Sequence, residues 1–562
     1  MKKTITLLFA LTVSLAGSAM TSQIAAPLKS LGSQTTVAVS KGAPLMKAAS
    51  EKAISRAGAD LSDLPLITEV PGATTALYSR NDIYIGVDYF GQMMMGPDYG
   101  LAAEVATLGD KVYFKNPFSG IETNSYLEGT REGNIVTVTF PQQIYQETYV
   151  DWEADMEGNV MKTDHYYAYK MTVTRGEEST RIELAPEQTA RFEVTEDGYE
   201  LIGDEFIGMV LAQTVDNNGT PETQIMFAKM ADTRMVYTRI TDEIAEIPAA
   251  AGMQLWVMSV AGENSLVSVG IDGSDIYISG FIDTLPAGVI KGKIEGDKAV
   301  FANNQYLGID ARTAHLAYLE GATYVTNEET WEDEFSMLPN LTFNYDSEAR
   351  TLTLDAGHSM TISTIKDAIF LMYAFNEVEF KWQDMSTPMT PQTPEIDSCS
   401  PLGYMPGYGL IFYLAANSTD GRVLDPKNLY YNIYFDDQLL TLYPDEYTGL
   451  TVDEMTDIPY EYEDFASGIY VFGDEHDMMI YSEGFAKIGV RALYKNHDGS
   501  IAYSPIAYLD LSGVDSAVVE KDVESIEFFD LAGRRVASEA KGLVLRRTVF
   551  SDGTSRTEKI VK

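Results

Sequence analysis

The sequence predicts a mainly β protein made of tandem sandwich-like domains, and three observations carry that prediction. Short runs rich in Val, Ile, Thr, Tyr and Phe are broken by Gly-Asn, Asp-Gly and Gly-Asp turns about every 8–12 residues. Helical periodicity is scarce; the best stretch, Ala43 to Ala57, is short and close to the N-terminus. One long pattern also recurs. Residues 109–145 line up with residues 273–306 at an offset of about 164. Each copy has a Gly turn, a hydrophobic-Tyr-hydrophobic strand, a loop, a step centred on Gly and a strand ending near Phe and Gln. An offset this long implies duplicated domains, since solenoid repeats usually run ~20–50 residues.

Taken in order, Lys2 and Lys3 precede an apolar run from Ile5 to Ala16 and the small residues Gly17-Ser18-Ala19. That is a secretory signal peptide over residues 1–19, and its apolar run is shorter than the ~20 residues of a membrane-spanning helix. A polar leader follows over 20–64. The first β-domain covers 65–250, with strands at Lys111–Phe114, Asn134–Phe140 and Tyr167–Val173 and a hairpin at Phe192–Leu201. The second covers 251–385 and closes with a hairpin at Leu341–Leu354. Residues 386–401, STPMTPQTPEIDSCSP, are Pro/Thr-rich and predict an extended, semi-rigid linker. Beyond it, 402–512 holds a hairpin at Leu429–Leu442 turning at Asp436-Asp437. A late strand pair, Ile488–Tyr494 and Ser504–Leu509, completes it. The order of these strands resembles a fibronectin type III or immunoglobulin-like sandwich, with Tyr443–Asp464 as an acidic insertion. A small β-module ends the chain over 513–562.

Charge and cysteine content bound the function. The chain has 83 Asp and Glu against 40 Lys and Arg, a formal net charge of −43. With 45% hydrophobic residues this acidity belongs to the surface of a folded protein. Such a surface repels nucleic acid and anionic membranes, so nucleic-acid binding is set aside. The single cysteine, Cys399, rules out an intramolecular disulfide and any cysteine-based metal cluster, and its place in the linker without a His partner predicts a free thiol. The last 40 residues, from Val523, run against the trend: eight Lys and Arg against six Asp and Glu.

That tail resembles a known kind of module. Phe528-Phe529-Asp530-Leu531-Ala532-Gly533-Arg534-Arg535-Val536, the Lys541-Gly542-Leu543 turn and the closing Lys559-Ile560-Val561-Lys562 are similar to type A sorting domains of the type IX secretion system. With Leu77-Tyr78-Ser79-Arg80, Val112-Tyr113-Phe114-Lys115-Asn116-Pro117 and Tyr430-Tyr431-Asn432-Ile433-Tyr434, the whole chain resembles a family of secreted multidomain β-proteins of Bacteroidales. The resemblance implies export, handling of the tail by the export machinery, and display outside the cell. It implies no activity.

Motifs for chemistry are sparse. His165, His315, His358, His476 and His497 stand alone, without the convergent spacing of a zinc site. The sequence holds no G-x-S-x-G elbow, Walker loop or dinucleotide fingerprint, and no cofactor is expected. Among so many carboxylates no acid–base pair for glycoside hydrolysis stands out. Asp436, Asp437, Asp474 and Asp477 are the candidate calcium ligands, although no stretch has EF-hand spacing and solvated loops explain them as well. Tyrosine is the remaining signal, with 34 residues and clusters at Tyr166-Tyr167 and Tyr430-Tyr431. Exposed rings on a sheet face stack on sugars or anchor protein partners; the same residues also suit strand interiors. The expectation is therefore a secreted or surface-bound, non-catalytic adhesion protein for a glycan or protein ligand. The binding candidates are Tyr166, Tyr167, Tyr430 and Tyr431. The alternatives are a carbohydrate-active hydrolase with loop carboxylates and a surface component that assembles by strand exchange.

Overall fold

The computed structural model describes Leu61, residues 64–511 except 88–92, 151–160, 176–179, 205, 218–219, 328–332, 403–406 and 483, and four strands of the tail. The expected signal peptide, nearly all of the leader and the Ala43–Ala57 helix lie outside the described residues. Within them the chain is mainly β, with 3-10 turns and no α-helix, and no helix is long and apolar enough to cross a membrane. It forms two compact units, one ending at Trp382 and one beginning at Gln383.

The first unit opens with β1 (Thr74–Val87), β2 (Met93–Leu108), β3 (Lys111–Lys115), β4 (Tyr126–Glu132), β5 (Ile135–Thr139) and β6 (Gln142–Val150). It continues with β7 (Met161–Arg175), β8 (Thr180–Leu184), β9 (Thr189–Val194), β10 (Gly198–Leu201), β11 (Phe206–Asn217) and β12 (Thr220–Arg239). The order β1-β2-β3-β4-β5-β9-β10-β12 returns on itself, because β1 also pairs with β12 from Tyr78↔Arg239 to Gly86↔Met230. The long β12 then carries β11, β7 and β6 as an extension of the same sheet. Alternation fills the interior: Phe114, Phe192, Tyr199 and Tyr237 meet at ring distances of 4.8–6.2 Å.

The next strands are β13 (Gln254–Val260), β14 (Glu263–Asp272), β15 (Asp275–Ser279), β16 (Val289–Glu295), β17 (Lys298–Ala302), β18 (Gln305–Ile309) and β19 (Leu316–Thr326). After them come β20 (Asp333–Met337), β21 (Asn340–Asp346), β22 (Thr351–Leu354), β23 (His358–Ser363), β24 (Leu371–Asn376) and β25 (Glu379–Trp382). Here β13-β14-β15-β16-β17-β21-β22-β25 is a closed barrel, and β18-β19-β23-β24 forms a second sheet. The pairing order matches the first half strand for strand, with β24 and β25 together doing what β12 does alone. Two details follow the same plan. The side-chain amide of Gln142 accepts from Glu128 N and donates to the carbonyls of Glu128 and Thr139; Gln305 does the same with Lys291 and Ala302. A Cβ at Gly129 or Gly292 would strike Val136 or Phe301 across the strand pair, so glycine is needed at the centre of each charged step. A strap also precedes each half: Ile67, Val70 and Ala73 lie on Tyr113 and Tyr126, while Ile244 and Ile247 lie on Tyr277 and Val289.

Closed rings thus stand where sandwich-like domains were expected. A sandwich and a barrel share the same alternation and turns; only the β1–β12 and β13–β25 pairings close the ring, and they join residues more than a hundred positions apart.

The second unit has two sheets over one core. The strands β26 (Glu395–Pro401), β27 (Tyr408–Tyr413), β28 (Leu429–Phe435), β29 (Gln438–Leu439) and β30 (Ile458–Pro459) come first. They precede β31 (Ile469–Phe472), β32 (Glu475–Ile480), β33 (Lys487–Lys495), β34 (Ile501–Tyr503) and β35 (Ala507–Asp510). One sheet runs β26-β27-β32-β31; the other runs β29-β28-β33-β34, with β30 on β28 and β35 on β33. Leu410, Phe412, Tyr431, Ile433, Met478 and Val490 are buried in the core they share. The expected linker is part of this unit. Met389 is buried and its N donates to Asn496 Oδ1 (2.7 Å), and β26 pairs with β27 so that Cys399 is 5% exposed. The stretch is extended, as its prolines require, but its few apolar residues are enough to seat it on a neighbour. In the tail, β36 (Val523–Phe529), β37 (Arg535–Val536), β38 (Leu543–Phe550) and β39 (Ser555–Val561) form one sheet in the order β37-β36-β38-β39.

Candidate functional site

Strand β33 reads Lys-Ile-Gly-Val-Arg-Ala-Leu-Tyr-Lys. Ile488, Val490, Ala492 and Tyr494 are fully buried in the core, so alternation puts Lys487, Gly489, Arg491, Leu493 and Lys495 on the opposite face. Strand β28 behaves alike: Leu429, Tyr431 and Ile433 point inward, and Tyr430, Asn432 and Tyr434 share the outer face. Register then builds the surface. Tyr434 sits beside Gly489 and Gly489 beside Tyr508; Tyr430 sits beside Leu493 and Leu493 beside Tyr503. Between these two tyrosine rows lies the Asn432–Arg491 pair. A Cβ at Gly489 would come within 2.7 Å of the Tyr508 ring, so the glycine is what lets that ring lie on the strand.

The cations are held by the rings. Lys495 Nζ lies 3.7 Å from the Tyr430 ring centre and Lys487 Nζ 4.4 Å from that of Tyr508. The Arg491 guanidinium lies 4.4 Å from Tyr503 and 5.2 Å from Tyr434, distances at which the ring quadrupole attracts a cation. Nη2 of Arg491 donates to Asn432 Oδ1 (3.2 Å), while Nε is buried without a hydrogen-bond partner. Tyr503 and Tyr508 are 48% and 43% exposed. At one end Lys487 Nζ and Tyr508 Oη both donate to Asp437 Oδ1, at 2.8 and 2.6 Å. These bonds hold the Asp437 carboxyl below its ordinary range and raise the Lys487 and Tyr508 values. Burial raises Tyr434, against the pull of Arg491.

Of the residues expected to bind, only Tyr430 is on this face. Tyr431 is its inward neighbour, fully buried against Phe412 and His476. Tyr166 and Tyr167 are 5% and 4% exposed, packed in two cores of the first unit, and Tyr167 Oη donates to Leu61 O (3.2 Å). Adjacent tyrosines in a strand face opposite ways, so two adjacent rings cannot both serve one surface; in β7 each side is covered. The acidic candidates do not converge. Asp436 and Asp437 form the β28–β29 turn with φ of 45° and 70°, and Asp436 accepts from Ala486 N and Lys487 N. Asp474 accepts from Tyr460 Oη (2.9 Å), and burial raises the Asp477 carboxyl. Among the described residues no group of three or more His, Cys, Asp or Glu is placed to hold a metal ion. Buried His476 donates from Nε2 to Tyr460 O (2.8 Å) and packs between Phe412 and Tyr431, and burial lowers its pKa.

Carboxylates do converge inside the first unit, at positions that no motif or spacing marks. Alternation along β1 turns Arg80 and Asp82 inward, between bulges at Gly100 of β2 and Arg234-Met235 of β12, and Asp98 and Asp232 arrive from those two strands. Arg80 Nε lies 2.7 Å from Asp82 Oδ2, Nη2 donates to Ser119 Oγ (2.7 Å) and Nη1 to Asn116 O (2.8 Å). Ser119 Oγ donates to Asp82 and its N to Asp232. His315 Nε2 donates to Asp98 Oδ1 (2.6 Å). Burial pushes the Asp82 and Asp232 carboxyls up, with Arg80 pulling against it; at Asp98 burial is outweighed by His315, Arg80 and Ser119 together, and the carboxyl is lowered. Arg80, Asp82 and Asp232 are at most 1% exposed, so no substrate reaches them. The cluster ties strands together. A cleft of about 280 Å³ beside Leu64, Pro65 and Ile67 is floored by the Lys111–Glu128 ion pair and holds no unpaired charge of the kind seen at Arg491.

No family model matches the chain, and no curated protein or solved structure is significantly similar to it.

Proposed function

We propose that this is a secreted or surface-displayed binding protein whose ligand is a glycan, held on the tyrosine face of β28, β33, β34 and β35. The observation that carries the reading is the pair of half-exposed rings, Tyr503 and Tyr508, set on a rigid sheet around Arg491. A flat aromatic platform with hydrogen-bonding rims suits the apolar faces and hydroxyl edges of sugars. In the same reading the matching pairing orders of the first unit come from a duplicated domain. The second unit is a fibronectin type III-like sandwich that presents the face, and the basic-rich tail is a sorting module that follows export through the signal peptide.

The test is a glycan-array and mucin-binding screen of the purified chain. Saturable binding that is lost in Tyr503→Ala/Tyr508→Ala and kept in Tyr166→Phe supports the reading. Binding that ignores the Tyr503 and Tyr508 changes, or no binding to any saccharide, sinks it.

A further inference from the structure

We infer that the saccharide is anionic, an extended chain carrying carboxylate or sulfate groups; this rests on the glycan reading above. In a chain with 83 acidic and 40 basic residues, Arg80, Lys111, Lys291, Lys366 and Arg422 pair with carboxylates, while Lys115, Arg312 and Arg350 lie on rings without one among the described residues. What sets β33 apart among the described strands is that three ring-held cations share one face. On that face only Lys487 has a carboxylate, Asp437. Among the described residues Arg491 and Lys495 have no carboxylate at ion-pair distance; Arg491 reaches Asp457 only through Asn432, whose Oδ1 accepts from Arg491 and whose Nδ2 donates to Asp457 (2.8 Å). Rings hold these two cations in place without neutralising them. Their charge is therefore unspent. A carboxylate or sulfate would gain a charge-assisted, fork-shaped contact at Arg491 that a hydroxyl cannot match.

Spacing points to the class of anion. Lys487, Arg491 and Lys495 stand four residues apart on one strand, so consecutive cations are about 13 Å apart at ~3.3 Å per residue. A small anion such as phosphate would use one cation at a time. A duplex nucleic acid, with a charge every ~1.7 Å, would leave most of its charges facing an acidic protein. A sugar chain charged once every one or two rings meets the cations in turn while its uncharged rings lie on Tyr503 and Tyr508. Asp437 competes with such a ligand for Lys487.

The experiment compares sulfated or uronic-acid-bearing saccharides with their desulfated or neutral counterparts. It uses the full chain, Arg491→Gln/Lys495→Gln, Asp437→Asn and Tyr503→Ala/Tyr508→Ala, with single-stranded DNA as competitor. Charged saccharides should bind, more weakly as salt rises. The double glutamine variant should lose ~10-fold or more for charged saccharides, as expected for loss of charged hydrogen bonds. Asp437→Asn, which cannot fail for want of a cation, should bind more tightly. Equal binding of neutral saccharides with no effect of the glutamine variant overturns the inference and leaves the glycan reading intact. No saccharide binding at all overturns both. Single-stranded DNA that displaces the saccharide at equal concentration overturns the inference in favour of a general polyanion surface.

Discussion

Arg80 and Arg491 are both held tightly, and by opposite means. Arg80 lies in the first unit with no exposed surface, caged by Asp82 and with Asp98 and Asp232 close by; burial alone would lower its pKa, and these carboxylates more than offset that. Arg491 lies on the outer face of the second unit, caged by Tyr434 and Tyr503, with one side-chain hydrogen bond to a neutral amide. A carboxylate cage consumes the charge and converts it into cohesion between strands. A tyrosine cage fixes the side chain and supplies no counter-charge.

The sharpest way to break that contrast is to remove each charge in turn. Arg80→Met strips the cation from buried Asp82 and Asp232 and should destabilise the first unit by ~3–5 kcal/mol, seen as a lowered midpoint in urea unfolding. Arg491→Met should leave that midpoint unchanged and weaken ligand binding. If Arg80→Met proves harmless, the cage is not what holds those strands.

The next effect is on pH. Glu320 is fully buried with neither carboxyl oxygen hydrogen-bonded, and burial pushes its pKa from 4.5 up to about 8. A carboxyl whose folded value is raised binds a proton more tightly when folded. Its stabilising effect is full below its unfolded pKa and is lost as pH rises through about 8. Asp82 and Asp232 act in the same direction. The first unit should therefore be more stable near pH 5 than near pH 8. Glu320→Gln should flatten that slope and raise stability at pH 8 by a few kcal/mol. An unchanged pH profile in the variant would show that Glu320 is not the titrating group.

Smaller effects sharpen the second half of the comparison. Gly489→Ala forces a methyl against the Tyr508 ring and should cost ~1–3 kcal/mol as an overpacked site, with a change in tyrosine near-UV circular dichroism and weaker saccharide binding. Lys487→Gln breaks a solvent-exposed pair with Asp437 and should leave the unfolding curve where it is. A large shift there would mean that the pair is structural and its charge is not available to a ligand.

The legible and illegible parts of this molecule divide along physical lines. Strand identity was readable wherever one face is buried: Lys111–Phe114, the Phe192–Leu201 hairpin and the Leu429–Leu442 hairpin, with positive φ at Asp436 and Asp437, lie where alternation and turn chemistry put them. Tyr430 lies on the candidate face; Arg491 and Lys495, which share it, stand out in β33 only as a period-2 alternation against Ile488, Val490, Ala492 and Tyr494. Tyr503 and Tyr508 carried no such signal. They come from separate strands, and only the register of β34 and β35 against β33 brings them beside it. Barrel closure was hidden for the same reason.

The sequence by itself determined the mainly β class, the turns and the side of each strand that faces inward, because those depend on neighbours one to four residues away. Tertiary structure alone decided that the strands close into barrels, that 386–401 joins a core, that three carboxylates gather near Arg80, and that Tyr434 and Tyr503 flank Arg491. Each of those depends on contacts between residues far apart in the chain, where composition and spacing have no reach.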